Sequence, residues 1–510
     1  MPRALLSVYD KSGIVDLGRQ LADLGWDLIS SGGTARALAD AGVPVTDVAD
    51  LTGFGAMLGH RVVTLHPKVH GGILADRDDP THVADLEAHD IAPIDLVVGN
   101  LYPFSTDPGI ELIDIGGPTL VRAAAKNHAH VGVVVDPADY AVVVEELQAD
   151  GVVSARTRRR LARAAFAHTA AYDAAIVNWL DATDPDITAD PTLAAEAALP
   201  PTLHVAAERA DVLRYGENPH QVGARYRTAG ADSWWDHATQ HGGKAMSYLN
   251  VYDADAAWRL AHELGDEPTA VVIKHANPCG AATAGDITEA WRRAHAGDEV
   301  SAFGGIVALN RPMPVDLANE LKPIFTEVVI APAYEPGALE VLTSKKNLRV
   351  LEAPAPSIDP LTIRTISGGL LVQTADRLIA GRDGWRVVTE RQPTDAEWAD
   401  LTFAWRLIAG VTSNAIVLVK DGQAVGIGCG QQNRVDAGRV AAEKAAGRAV
   451  GGACSSDAFF PFRDGLDAAA QAGATAVIQP GGSIRDDEVI EAANEQGMTM
   501  VFTGERHFRH

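Results

Sequence analysis

Trp26-Asp27-Leu28-Ile29-Ser30-Ser31-Gly32-Gly33-Thr34 is the stretch that decides the fold of the first part of the chain. An apolar run of strand character ends at two serines, and a glycine pair then opens a helical pattern over residues 34–41. Glycines let a backbone approach an anion closely, and the free N–H groups of a helix start, aided by its dipole, can hold a phosphate. An ordinary tight turn with Thr34 as cap explains the same residues equally well. Working outward, residues 3–9, 94–100 and 131–136 read as further strands, and residues 12–24 and 155–180 as helices. Strands alternating with helices predict an α/β fold whose parallel sheet is covered on both faces.

The 510 residues exceed one ordinary core and suit two or three domains. From residue 181 the text changes to Asp-Ala-Thr-Asp-Pro-Asp-Ile-Thr-Ala-Asp-Pro and ends in Pro200-Pro201, the mark of a linker. The expected organisation is a first domain over 1–185, a linker over 186–202 and a second domain over 203–510. In the second, strands at 270–274, 306–309, 328–331, 416–420, 476–479 and 499–502 alternate with helices at 254–264, 394–408, 435–446, 465–473 and 486–497. Two similar lobes fit this length. Lys274-His275 and Val419-Lys420 both close apolar strands, which alone does not establish a repeat.

Apolar residues at 47% and charged residues at 22% describe a folded chain. The 43 basic and 67 acidic side chains give a net charge of −24, which repels phosphate backbones and argues against general nucleic-acid binding. Small anionic substrates remain open to local arginines and helix N-termini. No apolar run approaches the ~18 residues of a membrane helix, so no span is expected. Residues 1–10 carry too short an apolar stretch for a signal peptide and read as the first strand. Cys279, Cys429 and Cys454 form no Cys-x-x-Cys pair, which excludes a disulfide framework and suits a reducing cytoplasm. The basic run at 156–163 reads as a solvated helix face.

Within the first domain, Asp114-Ile115-Gly116-Gly117-Pro118-Thr119 is a second glycine-opened helix start, and its helix carries Arg122 and Lys126 four residues apart. A carboxylate, a glycine pair and a lysine fit a proton relay; a buried ion pair fits them too. Arg61-Val62-Val63-Thr64-Leu65-His66-Pro67-Lys68-Val69-His70-Gly71-Gly72 spaces two histidines as in a helical metal pair. Pro67 and the following glycines predict a loop instead, and a basic loop facing an anion is expected rather than a metal site. Asn100-Leu101-Tyr102-Pro103-Phe104 ends a buried strand, where open α/β sheets place ligands. The Tyr102 hydroxyl either joins a relay or anchors an aromatic.

Within the second domain, Leu213-Arg214-Tyr215-Gly216-Glu217-Asn218-Pro219-His220-Gln221 concentrates polar recognition groups around a turn. Val271-Val272-Ile273-Lys274-His275-Ala276-Asn277-Pro278-Cys279-Gly280 delivers a lysine and a histidine to a strand end, followed by an expected Asn-Pro turn. Histidine is the side chain best suited to proton transfer near neutral pH. Pro278-Cys279 invites comparison with the zinc deaminase signature, but the second cysteine is absent, so no zinc is expected. Ser301-Ala302-Phe303-Gly304-Gly305 and Ser413-Asn414 follow. Gly428-Cys429-Gly430-Gln431-Gln432-Asn433-Arg434 precedes a helix and reads as an anion or amide loop. The phenylalanines of Ser455-Ser456-Asp457-Ala458-Phe459-Phe460-Pro461-Phe462-Arg463-Asp464 are core or, with the charges beside them, a slot for a flat heterocycle.

Taken in order, Ser-Gly-Gly-Thr, Thr-Leu-His-Pro, Asn-Leu-Tyr-Pro-Phe, Asp-Ile-Gly-Gly, Ala-Ala-Ala-Lys-Asn-His, Arg-Tyr-Gly-x-Asn-Pro-His-Gln, Lys-His-x-x-Pro, Gly-Gln-Gln-x-Arg and Ser-Ser-Asp-Ala-Phe-Phe-Pro-Phe-Arg-Asp span essentially the whole chain. By these motifs the chain resembles the bifunctional purine-biosynthesis family that joins aminoimidazolecarboxamide ribonucleotide (AICAR) formyltransferase to inosine monophosphate (IMP) cyclohydrolase. The resemblance implies a methylglyoxal synthase-like, Rossmann-like first domain. It also implies a cytidine deaminase-like second domain without zinc.

The implied reactions are formyl transfer from 10-formyltetrahydrofolate to AICAR, then dehydrative ring closure of formyl-AICAR to IMP. By resemblance His275 is general base, Lys274 orients groups and assists departure of the folate nitrogen, and Asn414, Phe459 and Asp464 line the amide and folate side. Arg214, Tyr215 and Arg434 are implied nucleotide contacts, Glu327 an acidic residue near the AICAR base, and Gly216, Asn218, His220, Phe303 and Gly304 further substrate contacts. In the first domain Ser31, Gly33 and Thr34 would hold phosphate, with Arg61, Thr64, Lys68, Gly116 and Gly117 around the substrate. Tyr102, Asp114 and Lys126 would transfer protons. Where the family's motif usually has a lysine, this chain has Val63. A formyltransferase with a first domain that only binds nucleotide is the alternative that Val63 permits. The family also implies a cytoplasmic homodimer and leaves a monovalent cation open.

Overall fold

Leu5 and Leu6 face opposite sides of strand β1 (Arg3–Leu6), and both are fully buried. A strand buried on both sides needs helices over both faces of its sheet. This computed structural model describes every residue except 103, 105, 184–198, 230, 358, 359 and 380. Its described residues divide into two compact units, one from Met1–Glu208 and Thr228–Gly230, the other from Arg209–Arg227 and Ala231–His510. Residues 186–198 of the expected linker lie outside the described residues.

In the first unit β1 is followed by α1 (Ile14–Asp23), β2 (Asp27–Ser30), α2 (Gly32–Asp40), β3 (Thr46–Asp47) and α3 (Val48–Thr52). Then come α4 (Pro67–Leu74), α5 (Pro80–Ala88), β4 (Leu96–Val98), α6 (Gly116–Lys126), β5 (Gly132–Val134), α7 (Tyr140–Asp150) and α8 (Ala155–Ala182). The five strands form a parallel sheet in the order β3-β2-β1-β4-β5. One apolar core joins Leu6, Leu17, Leu38 and Val143 on one face; another joins Leu5, Val69, Ile73 and Val121 on the other.

Helix α4 overturns the loop expected after His66. Proline suits the first helical position, and His66 caps the helix by accepting from the Lys68 N–H at Nδ1 (3.1 Å). The glycines that suggested a loop are there for packing. A Cβ on Gly72 would stand 2.7 Å from the Ala92 carbonyl oxygen, so the helix lies too close to its neighbour for any side chain.

Strands β6 (Ala207–Val212) and β7 (Ala224–Thr228) make a separate ribbon. The rest of the second unit begins with α9 (Trp234–His237), β8 (Thr239–Gly242) and α10 (Tyr248–Glu263). One lobe follows as β9 (Thr269–Lys274), β10 (Asn277–Thr283), α11 (Ile287–Gly297), α12 (Glu299–Ala302), β11 (Gly305–Leu309), α13 (Val315–Leu321), β12 (Thr326–Ala331), α14 (Ala338–Thr343) and β13 (Arg349–Glu352). After the hairpin β14 (Leu361–Ile366) and β15 (Gly369–Thr374), β16 (Arg386–Val387) and α15 (Asp395–Ala409), a second lobe repeats the plan. It runs β17 (Ile416–Lys420), β18 (Gln423–Gly428), α16 (Arg434–Ala445), β19 (Ala453–Ser456), α17 (Arg463–Gln471), β20 (Ala476–Gln479), α18 (Asp486–Glu495) and β21 (Thr499–Phe502).

All but the hairpin and the ribbon belong to one sheet of 12 strands, β16-β21-β20-β19-β17-β18-β10-β9-β11-β12-β13-β8. The lobes are therefore β10-β9-β11-β12-β13 and β18-β17-β19-β20-β21, joined by antiparallel β10 and β18. The repeat that the sequence only hinted at is present in strand order. Helices α10 and α15 bring the fully buried Trp258 and Trp405 into a single core under both lobes. Each indole buries on the order of 200 Å², about 5 kcal/mol of transfer free energy, in an apolar core that is continuous beneath both lobes.

Candidate active sites

In the first unit the strand order reverses between β1 and β4. The crevice outside strand carboxyl ends at such a point is where open α/β sheets bind ligands. A cavity of about 1390 Å³ opens there. Ser31 precedes α2 in an extended conformation without a side-chain cap, so the first N–H groups of the helix are left for a ligand. The Thr34 hydroxyl is not free for phosphate. It is buried, donates to the Val8 carbonyl (2.9 Å) and accepts from the Val8 N–H (3.2 Å). Lys11, which sequence reasoning missed, lies over this helix start, its Nζ 3.5 Å from where a Cβ on Gly33 would stand. Its signal was only a lysine shortly after the first strand.

Asp114 closes the other side of the cavity. It accepts from the Gly117 N–H (2.9 Å), while its own N–H donates to the Tyr172 hydroxyl (2.7 Å). Burial raises its carboxyl above the usual range against the opposing effect of the Gly117 and Gly116 N–H groups. A carboxyl so placed holds a proton more readily than an exposed one, as a general acid or base near neutrality requires. Gly117 leaves room for that carboxylate: a Cβ there would meet Asp114 Oδ2 at 2.3 Å and Leu101 Cδ2 at 2.8 Å, so both side chains would have to move. Gly116 packs against Thr64 in the same way, at 3.1 Å from its hydroxyl. Tyr102 lines the cavity half-exposed, its ring 5.0 Å from that of Tyr9, and Arg61 is paired with Glu111.

Two expected members stand elsewhere. Lys126 ends α6, about 15 Å along the helix from Gly116 at ~1.5 Å per residue, and does not line the cavity. Lys68 sits in the first turn of α4, half-buried and likewise outside the lining. Val63 does line it. His70, inside α4, has an Nε2 buried without a partner and a proton affinity lowered by burial, the behaviour of a packed histidine.

In the second unit the turn between β9 and β10 is His275-Ala276, with Lys274 paired to Asn277, and not the expected Asn-Pro turn. Pro278 lies inside β10. His275 and Ala276 have φ of 56° and 54°, the left-handed region that non-glycine residues enter at a cost of about 1–2 kcal/mol each. Asp253 on α10 holds the turn, accepting from the His275 N–H (3.3 Å) and the Ala276 N–H (2.8 Å). The result is an exposed imidazole on a fixed corner. Lys274 Nζ donates to the Phe303 carbonyl (2.9 Å), which brings Phe303 and Gly304 beside the pair. Gly304 is at φ 75°, which favours glycine.

The same sheet end collects the second lobe's loops. Asn277 Nδ2 donates to the His275 carbonyl (3.2 Å), and its Oδ1 accepts from the Thr412 N–H (2.9 Å). Asn414 and Gln431 exchange backbone bonds of 3.0 and 3.3 Å, and Asn414 Nδ2 donates to the Gln431 carbonyl (3.0 Å). Arg434, at the start of α16, donates from Nη2 to Asn414 Oδ1 (3.1 Å) and to Asp457 Oδ1 (2.7 Å). A cleft of about 380 Å³ lies against Asn414, Arg434, Phe462 and Asp464.

The phenylalanine slot is built differently from expectation. Phe460 is fully buried core, Phe462 is exposed in the cleft, and Phe459 lies outside the lining. Arg434 reaches Phe459 through its carbonyl (3.3 Å). Glu327 pairs with Arg349, a buried arginine that sequence reasoning missed. Arg214 lies over the Tyr215 ring at 5.5 Å, and Tyr215 accepts at its carbonyl from the N–H of Tyr248, the first residue of α10. Asn218 closes its own loop on Gln221, and His220 stays exposed. Burial pushes the Cys279 thiol up to about 12, so it is no ready thiolate.

Comparison with known proteins matches residues 124–444 to the AICARFT/IMPCHase bienzyme family and residues 13–128 to the MGS-like domain. A bifunctional purine biosynthesis protein PurH of Parvibaculum lavamentivorans is 51% identical, over all of this chain and 97% of its own length. Proteins of the same name from Roseobacter denitrificans and Anoxybacillus flavithermus are 51% and 50% identical, over all of this chain and 98% and 99% of theirs. With half its residues shared end to end, the chain belongs to the AICARFT/IMPCHase bienzyme family.

Proposed function

We propose that the two sheet-end sites divide the last two steps of IMP biosynthesis between them. The chain is a bifunctional enzyme of purine biosynthesis that formylates AICAR and closes formyl-AICAR to IMP. The formyl donor belongs to the folates, and 10-formyltetrahydrofolate is the donor in this reading. Residues 203–510 carry formyl transfer and residues 1–185 ring closure.

In formyl transfer the 5-amino nitrogen of AICAR attacks the formyl carbon. His275 takes the proton this nitrogen loses, and Lys274 assists the folate nitrogen as it leaves with a proton. Asn414 holds the carboxamide, with Phe459 and Asp464 on the folate side. Arg214, Tyr215 and Arg434 contact the nucleotide, with Gly216, Asn218, His220, Phe303, Gly304 and Glu327 around it. One observation supports placing the proton transfer at His275. Both lobes turn here through two left-handed residues, but the second lobe uses Asp421-Gly422, residue types suited to that region, whereas the first places His275-Ala276 there. Strain retained at a corner that could relax with glycine is a mark of function.

In ring closure the carboxamide nitrogen attacks the formyl carbon and water departs. Asp114, with its raised carboxyl, and Tyr102 move protons, and Ser31, Gly33 and Lys11 hold the phosphate through backbone N–H groups and charge. Arg61, Thr64, Gly116 and Gly117 shape the cavity. The step is intramolecular, so positioning supplies much of the acceleration and a valine at position 63 is tolerated. Purified protein given formyl-AICAR without folate should form IMP rapidly. No IMP beside working formyl transfer would leave the first unit a nucleotide-binding module. No described helix is long and apolar enough to cross a membrane. A cytoplasmic homodimer completes the proposal, supported by the exposed apolar Ile363, Leu370 and Leu371 on the β14–β15 hairpin.

A further inference from the structure

The two lobes of the second unit superpose residue for residue in their hydrogen-bond registers, and this makes one lobe a control for the other. β9 pairs with β11 through Ala270 and Leu309, and β17 pairs with β19 through Ile416 and Ser456. One step further, Asn310 stands to Thr269 as Asp457 stands to Ala415. The Asn310 N–H donates to the Thr269 carbonyl (3.1 Å), and the Asp457 N–H to the Ala415 carbonyl (3.4 Å). The side chains repeat the match: Asn310 Oδ1 accepts from the Thr269 N–H (2.7 Å), and Asp457 Oδ2 from the Ala415 N–H (3.0 Å).

The structural task at this position is thus one acceptor oxygen, which a neutral amide performs in the first lobe. The second atom of the side chain differs in polarity. Asn310 Nδ2 donates to the Glu267 carbonyl (2.8 Å), whereas Asp457 Oδ1 accepts from Arg434 Nη2 (2.7 Å). Asp457 is fully buried and Arg434 nearly so, its side chain 11% exposed. A buried charge carries a desolvation cost that the fold itself, judged by Asn310, does not require.

We propose that Asp457 is a positioning residue for formyl transfer. Its carboxylate fixes the Arg434 guanidinium, and Arg434 in turn fixes which way the Asn414 amide faces. Arg434 Nη2 donates to Asn414 Oδ1, and Asn414 Nδ2 is committed to the Gln431 carbonyl, so a flipped amide would set donor against donor. The proposal rests on the assignment of Arg434 and Asn414 to substrate.

Asp457→Asn keeps the acceptor for Ala415 and turns an amide donor toward Arg434. Expected is a fall of about 10- to 100-fold in kcat/KM for formyl transfer, the range spanned by one charge-assisted hydrogen bond. It should appear as a higher KM for AICAR with the KM for the formyl donor unchanged, while ring closure of formyl-AICAR is untouched. A wholly structural Asp457 would not separate the two KM values. Arg434→Met and the double variant complete a cycle. The double variant matching Arg434→Met supports the proposal. Arg434→Met leaves the Asp457 carboxylate buried without its cation, so if either single variant does not fold, the double variant, which buries no charge at the pair, decides by itself: a raised KM for AICAR supports the proposal and wild-type formyl transfer overturns it. A further fall in the double variant overturns it. Arg434→Met impaired beside a fully active Asp457→Asn also overturns it, and Arg434→Met at full activity overturns the Arg434 assignment together with it.

Discussion

Replacing Gly117 by alanine would plant a methyl group 2.3 Å from Asp114 Oδ2, 2.8 Å from Leu101 Cδ2 and 3.1 Å from Asp114 Cγ. Ordinary contact needs about 3.4 Å or more, so the carboxylate must retreat by about 1 Å. The Leu101 side chain crowds the same methyl group at 2.8 Å and must move as well. The retreat also strains the bond from the Gly117 N–H, which in its charge-assisted form is worth about 1.5–3 kcal/mol. A displacement near 1 Å of a reacting group costs on the order of 100-fold in rate. Gly117→Ala should therefore slow IMP formation from formyl-AICAR by about 100-fold, while formyl transfer stays within about twofold. The assay is the appearance of IMP from preformed formyl-AICAR without folate, with thermal melting followed in parallel. Wild-type ring closure in a folded Gly117→Ala protein would refute the role given to Asp114.

Three further outcomes are expected. Lys11→Met should raise the KM for formyl-AICAR by about 5- to 20-fold with little change in melting, because the side chain is exposed and its charge sits over the α2 start; an unchanged KM would remove it from the phosphate site. Glu397 is held down to about 2 first by hydrogen bonds from Arg391, then by Thr394 and Thr475. A carboxyl depressed on folding stabilises fully above its unfolded value of 4.5 and loses that contribution as pH falls toward about 2. Glu397→Gln should thus cost about 2–3 kcal/mol at neutral pH and much less near pH 2 in urea melts; a cost independent of pH would contradict the pairing. Gly428→Ala should prevent folding of the second unit, since its Cβ would lie 1.9 Å from the Ala437 carbonyl oxygen, and a soluble variant with native melting would contradict that packing.

The parts legible in the sequence were those governed by neighbours along the chain. The run into Gly32-Gly33 announced β2, the α2 start and the phosphate side of the first cavity, because strand, turn and helix signals sit side by side there. Lys274-His275 announced the second site, because an apolar strand must deliver its last residues to an edge. Helix α4 was hidden because its glycines answer to Ile91 and Ala92, distant in sequence, and local propensity then points the wrong way. Lys126 and Asp114 are near in sequence, but a helix of eleven residues separates its ends. Asp457, Arg349 and Asp253 carry no local signal, because their partners are 23, 22 and 23 residues away and only the fold brings them together. The lobe repeat was faint for a related reason. What the lobes share is backbone register, which Asn310 and Asp457 serve with different side chains.

In the proposed scheme the two chemistries reside in two separate sites, and His275 serves only the first reaction. The most direct measurement gives the His275→Ala protein two substrates in separate assays: AICAR with 10-formyltetrahydrofolate, and preformed formyl-AICAR alone. Formyl transfer is expected to fall by at least about 100-fold, the contribution of a general base, while IMP forms from formyl-AICAR at the wild-type rate. Loss of both reactions in a folded protein, or formyl transfer that survives intact, would contradict the scheme.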